Sequence, residues 1–350
     1  MARVGMSQRS HRPDRTTGPS TDSLVIDKRW VGNHGIGRYA REVIARLDLD
    51  HTDLPGSRRP TDPLDPVLPG RMRLGRKDLL YVPGFAAGPT RARQLLTVYD
   101  LIHLDDPHET SRTKRLYYER LVRPAIRRTG LVLTISDATT DRLRRWLGPG
   151  PEIVDAGIGL SDAFHHRHGN ETPSEVPVVD LEPGYAMFVG PTRTHKDPET
   201  AVAAVAGVPG LNLLVVSRDV EEFTALAVRH GMAQRLRVVS GIDDETLADL
   251  YTLASCVILP STDEGFGLPA AEAIACGTPV LHRRSCRAVH EIVGEFGRGM
   301  ADYARPAEWT TALQELIEAG HPDVPADWSL KYQWDPVAER VSHVIEGLRR

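Results

Sequence analysis

Val257–Val280 reads VILPSTDEGFGLPAAEAIACGTPV. Val257–Leu259 is a short apolar run ended by Pro260, which predicts a buried strand. Ser261–Gly267 follows as a polar, glycine-bearing turn. Pro269–Cys276 then predicts a helix, with Pro269 in the first turn, where a missing N–H is no loss. Pro279–Leu281 predicts the next strand. Gly265 and Gly267 let the backbone approach a ligand closely. The free N–H groups and dipole at the helix start favour a phosphate. Glu264 stands in the loop and Glu272 about a turn inside the helix, so two carboxylates flank a phosphate-binding turn. One can accept hydrogen bonds from a ribose on one side of a diphosphate, the other from a sugar on the far side. A surface loop before an ordinary helical glutamate has the same local signature, because the dipole alone favours glutamate there.

The alternation extends upstream. Tyr185–Val189, Leu211–Val216 and Leu236–Val239 predict strands, and Pro198–Val205, Glu221–His230 and Glu245–Ala254 predict helices. Val289–Val293 begins another helix. Such alternation implies right-handed βαβ units in a doubly wound parallel sheet, whose ligands bind at the carboxyl ends of the strands. Directly after Tyr185–Val189 comes GPTRTHKD, residues 190–197. Arg193 there offers a bidentate fork and Lys196 a point charge, both suited to an anion; a basic surface turn is the plain alternative. Gly241 and Ile242 follow the strand Leu236–Val239, and Asp243-Asp244 suits a helix cap.

The first half alternates less regularly. Leu24–Ile26, Leu79–Val82, Leu95–Tyr99 and Leu131–Ile135 predict strands. A glycine-bearing loop, Gly32–Gly37, leads into a helix with apolar Ile36, Tyr39, Ala40, Val43, Ile44 and Leu47 at helical spacing. Ser111–Arg128 and Asp137–Leu147 predict further helices, the second capped by Ser136 or Asp137. Residues 48–77, rich in Pro, Arg, Asp and Gly, predict a long surface loop. The division expected is a disordered tail over 1–22, a first domain over 23–165, a linker over 166–184, a second domain over 185–331 and a closing helix over 332–350. The cluster His165, His166, His168 reads as linker, since it lacks a second ligand group at metal spacing.

Composition excludes several classes. A formal net charge of −4 lacks the basic excess of a nucleic-acid binder. No apolar run approaches the roughly 18 residues that span a bilayer. Cys256, Cys276 and Cys286 form no CxxC pair and read as reduced thiols, which points to a cytoplasmic protein; attachment to a membrane surface stays open.

The run EGFGLPAAEAIACGTPV, residues 264–280, resembles the donor-binding signature of retaining GT-B glycosyltransferases of family 4, with seven residues between Glu264 and Glu272. Gly190–Asp197 resembles that family's Arg/Lys loop, Gly35–Tyr39 its GIGRY loop, TVYDLIHL (97–104) a strand-end block and YQWDPVA (332–338) its closing stretch. The resemblance implies an α/β GT-B fold, two Rossmann-like doubly wound parallel-sheet domains facing a cleft. It implies that Glu264 contacts the donor sugar and Glu272 the nucleotide ribose, while Gly265, Phe266, Gly267 and Leu268 hold the diphosphate through their amides. Arg193 and Lys196 neutralise the leaving group, Gly241 and Ile242 flank the base, and Gly35 and Gly37 close over the donor. Tyr99 stands where the family has its active-site His, with Asp100 and His103 on the acceptor side. A Tyr titrates near ~10 and suits proton transfer poorly at neutral pH. The partners implied are a nucleotide-diphosphate sugar, with GDP-mannose preferred over UDP- or dTDP-sugars, and a glycan, lipid-linked or small-molecule acceptor. Neither a cofactor nor a metal is expected. A GT-B epimerase, a phosphorylase, or a relative that binds nucleotide sugars with impaired catalysis are the alternatives.

Overall fold

The structure, a computed structural model, describes residues 23–32, 35–105, 110–167 and 181–349. The expected tail, Asn33, His34, His168 and most of the expected linker lie outside the described residues. Two six-stranded sheets are formed. The first contains β1 (Leu24–Ile26), β2 (Thr52–Asp53), β3 (Leu79–Val82), β4 (Arg93–Val98), β5 (Leu131–Thr134) and β6 (Glu152–Asp155), in the order β2-β1-β3-β4-β5-β6. The second contains β7 (Ala186–Val189), β8 (Leu213–Val216), β9 (Leu236–Val239), β10 (Cys256–Leu259), β11 (Val280–Arg283) and β12 (Gly297–Met300), in the order β12-β11-β10-β7-β8-β9. Every pairing is parallel. Parallel sheets are covered on both faces, which explains why β3, β7 and β10 are uninterrupted apolar runs.

Strand order in the second sheet reverses between β7 and β10, where Ala186 pairs with Cys256. A reversal leaves a crevice between the loops that leave the two strands in opposite directions, and ligands bind there. Those loops are Gly190–Asp197 and Ser261–Gly267.

The closing helix Trp334–Arg349 packs against the helix Gly35–Arg46, with the Trp334 and Tyr39 rings 5.9 Å apart. Val337, Val341 and Ile345 join Leu24, Tyr39 and Leu79 in one apolar cluster. The last helix therefore completes the core of the first sheet.

Three features differ from the sequence reading. Residues 48–77 are not structureless: they contain β2, a 3-10 turn at Asp65–Val67 and a short helix at Pro69–Met72. They are anchored by Arg71, fully buried, which donates to Asp65 (3.1 Å), Gln94 (3.1 Å) and the carbonyl of Ala86 (2.8 Å). Arg29 joins the network through Asp27 (2.6 Å) and Asp65 (2.5 Å). A buried charge survives only when paired, and pairing of this kind leaves no hydrophobic period in the sequence. Second, the helix expected over 111–128 runs from Arg112 to Thr129 with a π turn at Tyr118–Val122. Pro124 has no N–H to give to the carbonyl four residues back, so the ladder widens just ahead of it. Third, β6, β12 and the helix Pro306–Ala319 were not anticipated; β12 reads Gly-Arg-Gly-Met, with no apolar run to mark it.

Candidate active site

The 3-10 turn Thr194–Lys196 ends at Asp197, which among the described residues is the one non-glycine residue with positive φ (49°). Such a conformation is costly and persists only where the surroundings enforce it. Here Asp197 caps the helix Pro198–Ala206 by accepting from the Thr200 amide (3.3 Å) and pairs with Arg283 (2.6 Å). The turn is tied to the neighbouring loop by the His195 carbonyl, which accepts from the Thr262 amide (2.8 Å). These restraints aim Lys196 at Glu264, with Nζ to Oε1 2.5 Å. Ser261 donates to the same oxygen at 2.8 Å. Asp219 accepts from the amide and hydroxyl of Thr192 (2.7 and 2.9 Å), which steadies the first half of the Arg193 loop and holds the Asp219 carboxyl below its usual range.

Gly267, with φ 101°, caps the helix Leu268–Ala275; a Cβ there would lie 2.9 Å from Val289. Gly265 lies against the first half of the chain, and a Cβ there would come within 2.3 Å of the Tyr99 carbonyl. Ser136, the cap of the helix Asp137–Leu147, also donates to the carbonyl of Gly265, and Arg142 pairs with Asp263. The Ser261–Gly267 loop is thus clasped by the first half.

Between the two halves lies a cleft of about 820 Å³. Arg193, Lys196, Glu264 and Gly265 line it from one side, and Tyr99, Asp100 and His103 from the other. Tyr99 donates its hydroxyl to the Pro83 carbonyl (3.1 Å), and burial raises its pKa well above the usual value. It is therefore a neutral donor committed to the backbone. Asp100 lies 3.5 Å from Nδ1 of His103. Burial pushes the Asp100 carboxyl up, but the bonds from His103 and the Ile102 amide outweigh it and hold it below the usual range. Nε2 of His103 is buried without a hydrogen-bond partner.

The remaining expected residues lie outside the lining of this cleft. Glu272 is buried, with Oε1 accepting from Arg38 (3.1 Å) and Oε2 from the Tyr251 hydroxyl (3.0 Å). Burial raises its pKa, and Arg38 opposes that shift. Gly241, φ 73°, is exposed, and Ile242 packs against the core of the second sheet. Phe266 meets Tyr332 edge-on at 5.7 Å. Gly35 abuts Leu268, 3.7 Å from where its Cβ would be, and Gly37 packs on the backbone of Gly32. Among the described residues no group of three or more His, Cys, Asp or Glu side chains converges as a metal site, and no helix is long and apolar enough to cross a membrane.

Residues 171–329 match the family described as glycosyl transferases group 1. The whole architecture is similar to Anabaena HepE in complex with UDP and glucose, with a TM-score of 0.67 at 15% identity, covering 94% of this chain and 100% of that one. The fold is that of the GT-B glycosyltransferases. Sequence relatives include a D-inositol 3-phosphate glycosyltransferase of Mycobacteroides abscessus, 32% identical over 54% of this chain and 44% of that protein. Another is the D-inositol 3-phosphate glycosyltransferase 2 of Catenulispora acidiphila, 30% identical over 70% of this chain and 62% of the relative. The chain thus spans about half the length of these relatives.

The wall that the first half gives to this cleft was not legible beforehand. Arg29, Trp30, Arg59, Phe85, Lys114 and Tyr118 all line it. They come from four separate segments that no local spacing connects. The sequence signals available were Lys28-Arg29-Trp30, directly after β1, and Pro124, just after the π turn that carries Tyr118.

Proposed function

We propose that this chain transfers a hexosyl group from a nucleoside-diphosphate sugar to an acceptor hydroxyl, with retention of anomeric configuration. The observation that carries the reading is the Lys196–Glu264 pair on the wall of the cleft, beside Gly265 and opposite Asp100. When the anomeric carbon–oxygen bond breaks, its electron pair passes to the diphosphate, whose oxygens gain negative charge. Lys196, Arg193 and the amides after Gly267 are the groups to stabilise it. Glu264 accepts hydrogen bonds from the sugar hydroxyls and holds the sugar over the leaving group. The acceptor oxygen attacks from the side of Asp100 and His103, and its proton goes to the departing diphosphate. Tyr99, bonded to Pro83, supports this wall without carrying a proton. Glu272 and the Gly241-Ile242 turn form the nucleoside end. GDP-mannose is the first donor to test, with UDP- and dTDP-sugars as alternatives.

The test is release of nucleoside diphosphate from a panel of GDP-, UDP- and dTDP-sugars, with water or added glycans as acceptor. Release from one donor class, undiminished by EDTA, is expected. No release from any donor, together with no thermal stabilisation by any nucleoside diphosphate, would contradict the proposal.

A further inference from the structure

The two elements assigned to the nucleoside are bridged by one side chain from the opposite half of the molecule. Arg38 belongs to the helix Gly35–Arg46 of the first sheet. Its guanidinium donates to Oε1 of Glu272 (3.1 Å) and pairs with Asp244, two residues beyond Ile242. It also lies over the ring of Phe164, 5.7 Å from the centroid. Tyr251 holds the other oxygen of Glu272. Both carboxylate oxygens are therefore engaged, and Arg38 spans the gap between the turn meant for the base and the carboxylate meant for the ribose. Consistent with this, the cleft ends at Glu264 and Gly265 and does not reach Glu272.

We propose that Arg38 is a latch that competes with the donor nucleoside for Glu272, and so sets nucleotide affinity by coupling donor entry to release of the first half from the second. This rests on the donor reading above. A guanidinium making two charge-assisted contacts holds the position that the ribose hydroxyls require. The ribose can bond to Glu272 only after Arg38 has withdrawn, so the apparent affinity is reduced by the fraction of molecules in which the latch is open. Arg193, Lys196 and Gly265, at the diphosphate end, already line the cleft, so binding there is not subject to the same reduction.

Ordinary electrostatics gives the opposite sign. Removing a cation near an anion site should weaken binding of every anion. The latch predicts that Arg38→Ala tightens binding of GDP or UDP, whichever the wild type prefers, by roughly tenfold, as expected if the latch is closed about nine-tenths of the time. Pyrophosphate, which has no ribose, should bind Arg38→Ala no more tightly than wild type. Asp244→Asn removes the outer anchor without touching Glu272 and should shift nucleoside diphosphate affinity in the same direction, by less. Asp244 is partly exposed at the start of the helix Asp244–Leu253, so this variant guards against a folding defect in Arg38→Ala.

Isothermal titration of the full chain and both variants with GDP, UDP and pyrophosphate decides the matter. Nucleoside diphosphate binding that is unchanged or weaker in both variants overturns the latch while leaving the donor site standing. Tightening that extends equally to pyrophosphate also overturns it, because the effect would not involve the ribose. Failure of the wild type and both variants to bind either nucleotide would remove the donor reading and the latch together.

Discussion

Glu264 and Glu272 are the same residue type in one run of sequence, yet they meet different surroundings. Glu264 lies on the cleft wall with Lys196 and Ser261 as partners, both from its own half. Glu272 is sealed, with Arg38 supplied from the other half. The loop glutamate is organised by neighbouring strand ends and faces the cleft. The helix glutamate is held by Tyr251 from its own half and by Arg38 from the other, and under the proposed latch it exchanges a partner before it binds a ligand. A motif therefore specifies which groups are present at the proposed donor site, while the facing domain decides which of them line the cleft.

Substitutions can break that contrast. The largest effect expected is at the open end. Lys196→Ala should lower kcat by roughly 10²–10³-fold, the range for removing one preorganised charge-stabilising donor, with a smaller change in donor KM. A raised KM with unchanged kcat in steady-state kinetics would make Lys196 a uniform binder. At the sealed end, Glu272→Ala should act on binding, weakening nucleoside diphosphate affinity by about 1–3 kcal/mol, the scale of a lost hydrogen bond to a charged group. Calorimetry that found a folded variant with full affinity would remove Glu272 from the site. Between the two glutamates, Gly267→Ala places a Cβ 2.9 Å from Val289 at φ 101°. It should cost roughly 1–3 kcal/mol of stability, visible as a lowered Tm, and an unchanged Tm would show that the helix start can shift. Smallest is Tyr99→Phe, which loses one hydrogen bond to Pro83 and should cost about 0.5–1.5 kcal/mol of stability with only a slight change in kcat. A collapse of kcat would return Tyr99 to a direct role.

The second half was the more legible in sequence. The strands Ala186–Val189 and Cys256–Leu259 and the helix Leu268–Ala275 announce themselves because buried parallel strands are continuous apolar runs, and because glycine and proline punctuate the turns between them. Asp243 and Ser136 cap their helices, a role readable from residue type and position alone. The chain does not reveal in advance that Ser136 also reaches Gly265, or that Arg38 reaches Glu272, since those pairs lie 129 and 234 positions apart. Residues 48–77 were misread for a related reason. Their anchor is the charge network of Arg71, Asp65, Arg29 and Asp27, and a periodicity analysis scores such residues as solvent-facing. Sequence reading ran short at long-range polar contacts and at the late elements β12 and Pro306–Ala319.

The central claim, retaining transfer of a sugar from a nucleoside diphosphate in this cleft, is tested most directly by following the anomeric proton of the donor by NMR in the presence of the enzyme. The donor that the enzyme consumes should give free nucleoside diphosphate and a first-formed product with the donor's own anomeric configuration, in the presence of EDTA as in its absence. A first-formed product of inverted configuration, or a donor that binds tightly and is never consumed with any acceptor offered, would contradict the account.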